Sequence, residues 1–265
     1  MLHWDLHFGA YPTVGVELRM KRAHKWILSL TLVLALLAAV CVPCFAAPAN
    51  KKNSAYGFFQ NHGANDAIQV LETSKHRNLI NYNDEEDAVS FKSMEAALQT
   101  LKRTNELRRQ EGKPELYVTD KLMAMAMVDA DYADKFAAKS NQYHLAAENF
   151  SWGTEAAEAS NSWFGTKWAR NPGQYQNMTG NYKVTGAATC CKGGNDYDRY
   201  GVTVVQVFER NADQGAKLYS VSQYEKMLRN YRAPLEKEAA KKTAPAPAQQ
   251  PADSAPKTQI VLNFH

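Results

Sequence analysis

The chain has 265 residues, 45% of them hydrophobic and 11% aromatic, which is material for one ordinary domain with a real core plus extensions. Its formal charge of +4 is small and scattered, so it leaves no electrostatic footprint for nucleic acid, and none is expected as a partner.

Lys21, Arg22 and Lys25 precede the apolar run from Trp26 to Val42, and small residues follow at Ala46, Ala47 and Ala49. That is the order of an export signal: a positive region, an apolar region, a cleavage site. Residues 1–46 are therefore expected to be an N-terminal extension and signal peptide, with Met20 as an alternative start, and the protein to be secreted. The apolar run is 17 residues long, at the short end for a spanning helix, so an uncleaved membrane anchor is the alternative. Removing residues 1–46 takes away four basic and two acidic residues and leaves a net charge of +2. Cys41 and Cys44 leave with it. Cys190 and Cys191 remain as neighbours, with Cα atoms about 3.8 Å apart, below the usual disulfide range of about 4.4–6.8 Å. Two thiols are expected there, and a disulfide framework or a zinc site built on C-x2-C pairs is excluded.

Residues 47–89 read as a lead segment, polar apart from an aromatic knot at Tyr56, Phe58 and Phe59, with a short helix over Ala67–Leu79. The domain proper spans 90–209. Phe91, Met94, Leu98, Leu101 and Leu107 fall at helical spacing, and Gly112 with Pro114 stops that helix. Leu116-Tyr117-Val118 is a short extended piece. Thr119 or Asp120 caps a second helix over Lys121–Lys139, whose Met/Ala-rich face allows close approach of another layer. A polar loop leads to the motif His144-Leu-Ala-Ala-Glu148-Asn149-Phe150-Ser-Trp152-Gly153. On one turn of helix His144 and Glu148 would share a face, as a metal corner or an acid/base pair. Thr154 caps a helix from Glu155 to Trp168, Asn171-Pro172-Gly173 breaks it, and a short helix covers Gln174–Met178. Tyr182–Thr189 and Tyr200–Phe208, joined by a Gly/Asn/Asp turn, form a β-hairpin. Residues 210–235 hold a closing helix around Val221–Tyr231. Residues 236–265 are a Pro/Ala/Lys-rich tail that cannot bury enough apolar surface to offset its ordering entropy and is expected to be disordered. Strands and helices are segregated, which predicts an α+β domain with a small antiparallel sheet. There is no HExxH, GxSxG or Gly-rich phosphate loop.

The pieces NELRRQEGKPEL (105–116), LMAMAMVDADYADK (122–135), H-x3-ENFSWG, Trp163-Phe164 and YGVTVVQVF come in an order that resembles the CAP superfamily, the SCP-like or cysteine-rich secretory, antigen 5 and pathogenesis-related-1 proteins, in its bacterial exported branch. The resemblance implies an α-β-α sandwich. It also implies a central cavity lined by two His and two Glu that in many members holds a divalent metal. His144 and Glu148 match the first His and Glu of that tetrad. Thr166 and Gln174 stand where the second Glu and the second His are expected. Glu155, Glu158 or Asp196 would have to complete a metal site. By this resemblance the ligand cavity comprises His144, Glu148, Asn149, Trp163, Phe164, Gln174, Tyr175 and Gln206.

Three functions stay open. The first is a secreted, non-catalytic binding module that takes a lipid- or sterol-like apolar ligand, or a peptide, in a groove near Trp152, Trp163, Phe164 and Tyr175. The second is a metal-assisted hydrolase with His144 as general base and Glu148 as its orienter or metal ligand. The third is a cell-wall-associated structural module working through its tail.

Overall fold

Sequence periodicity and caps set the two helices on which the domain is built. The structure, a computed structural model, describes residues 50–194 and 202–243. The chain divides into two units, Met1–Pro48 and Ala49–His265, and the described residues belong to the second, which has its own hydrophobic core. The expected signal peptide, Asp196 and the tail beyond residue 243 lie outside the described residues.

Helices α1 (Ala55–Asn61) and α2 (Asn65–Thr73) come first. Helix α3 (Phe91–Gln110) starts where the Ser90 hydroxyl accepts from the Ser93 N–H, and its apolar stripe buries Met94, Ala97, Leu98, Leu101 and Leu107. Gly112, at φ +65°, turns the chain out of it. Strand β1 (Tyr117–Val118) leads into α4 (Asp120–Phe136), capped by the Thr119 hydroxyl on the Leu122 N–H. Then follow β2 (Ala147–Thr154), α5 (Ala156–Gly165), α6 (Gly173–Thr179), β3 (Val184–Cys190), β4 (Val202–Glu209) and α7 (Val221–Thr243).

The sheet order is β1-β3-β4-β2. Strands β3 and β4 pair antiparallel with Ala187 opposite Gln206, as the hairpin reading requires. Strand β2 runs antiparallel to β4, with Asn149 opposite Gln206, and β1 pairs parallel to β3, so the sheet is mixed rather than purely antiparallel. Helix α4 covers one face. Its Met123, Ala126, Met127 and Ala130 are fully buried, and a Cβ on Gly186 of β3 would stand 2.2 Å from the Leu122 backbone. Helices α3, α5 and α6 cover the other face, where Leu107, Ala159, Trp163 and Met178 pack with Val204 and Phe208. The result is the α-β-α sandwich implied by the resemblance.

The lead segment and residues 236–243 carry more regular structure than their composition suggests. The lead segment is part of the core: Phe58 and Phe59 are buried, the Ala55 N–H donates to the Val89 carbonyl at 2.8 Å, and Phe58 meets Tyr224 of α7 edge to face at 5.4 Å. Apolar residues at 55, 58 and 59, then at 67, 70 and 71, follow helical spacing in two short runs. Helix α7 continues to Thr243, past the expected start of the tail, because Glu236-Lys-Glu-Ala-Ala-Lys-Lys is made of strong helix formers.

Candidate functional site

The His144–Gly153 motif is not a helical turn. His144 lies exposed in the loop before β2, and Glu148 lies on the strand. Phe150 and Trp152 alternate with Asn149 and Ser151, a period of two, and pairing with β4 decides the outcome. The Phe150 and Trp152 rings stack at 5.9 Å on the α4 side, where the Trp152 indole N–H donates to the Ala133 carbonyl. Glu148 belongs to that side too. Burial and the neighbouring Asp129 carboxylate lift its carboxyl from the ordinary 4.5 to about 6, against the pull of Lys139.

Asn149 points to the opposite layer and is buried. Its amide N–H donates to the Gln174 carbonyl at 3.0 Å, and its oxygen accepts from Asn177 at 2.9 Å. The outward carbonyls of edge strand β2 are then closed by side chains. Phe150 O accepts from the Trp163 indole at 3.1 Å and from the Gln174 amide at 3.2 Å, and Glu148 O accepts from Asn177 at 3.1 Å. An edge strand covered in this way cannot recruit another chain. Gln206 is fully buried; it accepts from Thr104 at 2.9 Å and donates to Thr185 at 3.2 Å. Phe164 and Tyr175 meet edge to face at 5.5 Å, and Tyr175 donates to Glu111, which also pairs with Lys167. The Thr166 hydroxyl donates to the Trp163 carbonyl and accepts from the Tyr175 N–H.

Of the eight residues expected to line one cavity, Asn149, Trp163, Gln174 and Gln206 thus form a packed, hydrogen-bonded layer, with the Phe164–Tyr175 pair beside them. Glu148 faces the other side of the sheet, and His144 stands apart. Asn177, which completes the edge closure, went unrecognised because a single amide on a short helix carries no signal without the strand it caps.

The cavity beside His144 has another lining. It holds about 450 Å³ between the N-terminal half of α4, the 142–145 loop and the loop after β4. Leu122, Met125 and Leu145 give it an apolar floor; His144, Lys121, Glu209 and Asp213 give a rim of both signs. Lys121 pairs with Asp213, and Glu209 accepts from the Ala146 N–H. The loop after β4 is polar and aperiodic, so its share of the wall had no sequence signature.

The residues present do not fit the metal that the resemblance implies. Glu148 does not line the cavity beside His144, and among the described residues no three His, Cys, Asp or Glu side chains are placed to hold a metal ion.

A buried ionic cluster lies on the α4 side. The Lys192 ammonium donates to Asp87 at 2.7 Å and to the Leu79 carbonyl at 2.7 Å, and sits 2.8 Å from Asp131. Two carboxylates share one cation, so burial and Asp87 lift the Asp131 carboxyl well above its ordinary range. Burial would push the ammonium down, but Asp131 and Asp87 hold it up. Cys190 and Cys191 form no disulfide, and burial followed by Asp131 pushes the Cys190 thiol up, away from a reactive thiolate.

Residues 101–208 match the model of the CAP family, described as the cysteine-rich secretory protein family. No curated protein matches the chain. The segment order, the layered fold and this match agree: residues 101–208 form a CAP-superfamily domain.

Proposed function

We propose that this CAP protein is an exported, non-catalytic binding module, and that the cavity beside His144 takes a small ligand with an apolar body and a polar end, a short peptide or a lipid-like molecule. The CAP domain marks an extracellular type of protein in general. Among the described residues no helix is long and apolar enough to cross a membrane. The observation that carries the reading is the cavity's composition: an apolar floor under a rim of both charge signs, within the usual size of ligand pockets. Native mass spectrometry of residues 49–265 purified from an exporting host tests it. The expected result is a small bound mass that disappears in Met125→Trp, which fills the floor. A bare mass after exposure to host lipid and peptide extracts would dismiss the proposal.

One observation favours a hydrolytic second reading. A carboxyl held near pH 6, as on Glu148, suits general acid or base work. Hydrolysis of a peptide library that persists unchanged in Glu148→Gln would remove that reading.

A further inference from the structure

The C-terminal end of α4 presents a surface that takes no part in the cavity beside His144. The chain there reads Lys135-Phe136-Ala137-Ala138-Lys139. Both lysines and Ala138 are exposed, and so is 53% of Phe136. Ala137, in the left-handed conformation at φ 48°, ends the helix and leaves Phe136 at its tip. The Phe136 ring is held in a ladder: it packs on Tyr132 at 4.7 Å, and Tyr132 packs on His76 at 4.4 Å. Lys75 and Arg77, both exposed, flank His76.

Four cations therefore flank the two ends of this ladder in the chain, Lys75 and Arg77 beside His76 and Lys135 and Lys139 beside Phe136. Lys75, Arg77, Lys135 and Lys139 form no ion pair among the described residues. The Arg77 guanidinium reaches only the Ser74 carbonyl, and the Lys139 ammonium lies 4.9 Å from the Phe150 ring. The acids in this half of α4, Asp129, Asp131 and Asp134, are all buried. Glu148, half-buried on β2, is the carboxylate that acts on Lys139.

A single exposed Phe needs no explanation. A Phe braced by a ring ladder whose two ends carry four cations without an ion pair has the composition of a bilayer-interface contact, in which the apolar apex enters the headgroup boundary and the cations meet anionic lipid. We propose that the Phe136 tip docks the domain on an anionic lipid bilayer. A soluble polyanion would use the cations but gain nothing from Phe136 and the two alanines, which is why the bilayer is the favoured partner. With one apolar anchor and four charges the docking is reversible.

Sedimentation of residues 49–265 with phosphatidylcholine vesicles, with and without about one-third phosphatidylglycerol, tests this. Binding is expected only to the anionic vesicles and weakens as salt is added. The double variant Lys135→Glu, Lys139→Glu is expected to lower the partition coefficient by about tenfold or more. Phe136→Ser is expected to lower it by about tenfold. These side chains are exposed, so an unchanged melting curve confirms that the variants are folded. Absence of binding, equal binding to pure phosphatidylcholine, or indifference to the charge reversal each overturns the proposal. Binding that falls with the charge reversal but not with Phe136→Ser also overturns it, in favour of a soluble polyanion.

Discussion

The two faces of the sheet bury polar groups in opposite ways. Toward α3, α5 and α6 no buried carboxyl is left over: Asn149 is closed by the Gln174 carbonyl and Asn177, Gln206 by Thr104 and Thr185, and the buried Arg108 guanidinium donates to the Pro114, Met178 and Gly180 carbonyls. Toward α4 the buried polar groups are carboxyls. Asp87 and Asp131 share one lysine, and Asp129 accepts from Ser140 and Gln142 on one oxygen while the other has no partner. A satisfied network rigidifies the layer it occupies. A surplus of buried carboxyl groups makes its layer sensitive to protons. The residues matched to the family's cavity mostly lie on the first face, and the perturbed groups lie on the second.

The largest expected effects come from breaking each face at its centre. Trp163→Ala removes a buried indole that both fills the core and donates to Phe150, and is expected to cost about 3–5 kcal/mol in denaturant unfolding. Lys192→Met leaves Asp87 and Asp131 without their cation and is expected to cost about 3–5 kcal/mol at neutral pH. The two losses should part company in acid. Asp131, whose folded carboxyl titrates high, takes up a proton as pH falls, and the uncompensated charge goes with it. The Lys192→Met penalty should shrink between neutral and mildly acidic pH, whereas the Trp163→Ala penalty should not. Parallel behaviour of the two variants would mean that the contrast between the faces has no energetic content.

A smaller loss is expected from Gln174→Ala. The Phe150 carbonyl keeps the Trp163 donor, so the variant removes one of two donors and is expected to cost about 1 kcal/mol. The Gln174 backbone carbonyl that holds Asn149 remains. Hydrogen exchange should show the effect concentrated in β2. A uniform loss across the sheet, or none, would show that Gln174 does not close this edge.

Much of this architecture is legible in the residues. Helix α3 carries its own cap at Ser90 and its own stop at Gly112, and the β3–β4 hairpin is a run of β-branched residues on either side of a turn. Strand β2 misleads because His144 and Glu148, four apart, invite a helical reading. Only the register against Val205, Gln206 and Val207 assigns the segment to the sheet. The site was harder still. Asn149 and Gln174 enter the expected cavity through the family resemblance, one inside the His144 motif and the other where the second His is expected. That they spend their hydrogen bonds on each other and on an edge strand is a matter of placement. The carboxylate surplus was equally hidden, since Asp87, Asp131 and Lys192 are far apart in the chain. In the lead segment the spacing was present, but in runs too short to stand out.

The smallest effect is a gain, and its sign tests the second face most directly. Glu148 carries a folded carboxyl near pH 6 against an ordinary value of 4.5, because of burial first and Asp129 second. The native state therefore holds this proton more tightly than the unfolded chain. The associated stability is complete below pH 4.5 and is lost as pH rises through about 6. Glu148→Gln keeps the shape and cannot ionise. It should match the parent in acid and be more stable above pH 6, by about 1 kcal/mol once the half-exposure of the group is discounted. Chemical denaturation across this range would read the difference. A variant less stable than the parent at neutral pH would mean that the Glu148 carboxylate is held by a favourable partner, and the ionised group would then have to be counted among the stabilising ones.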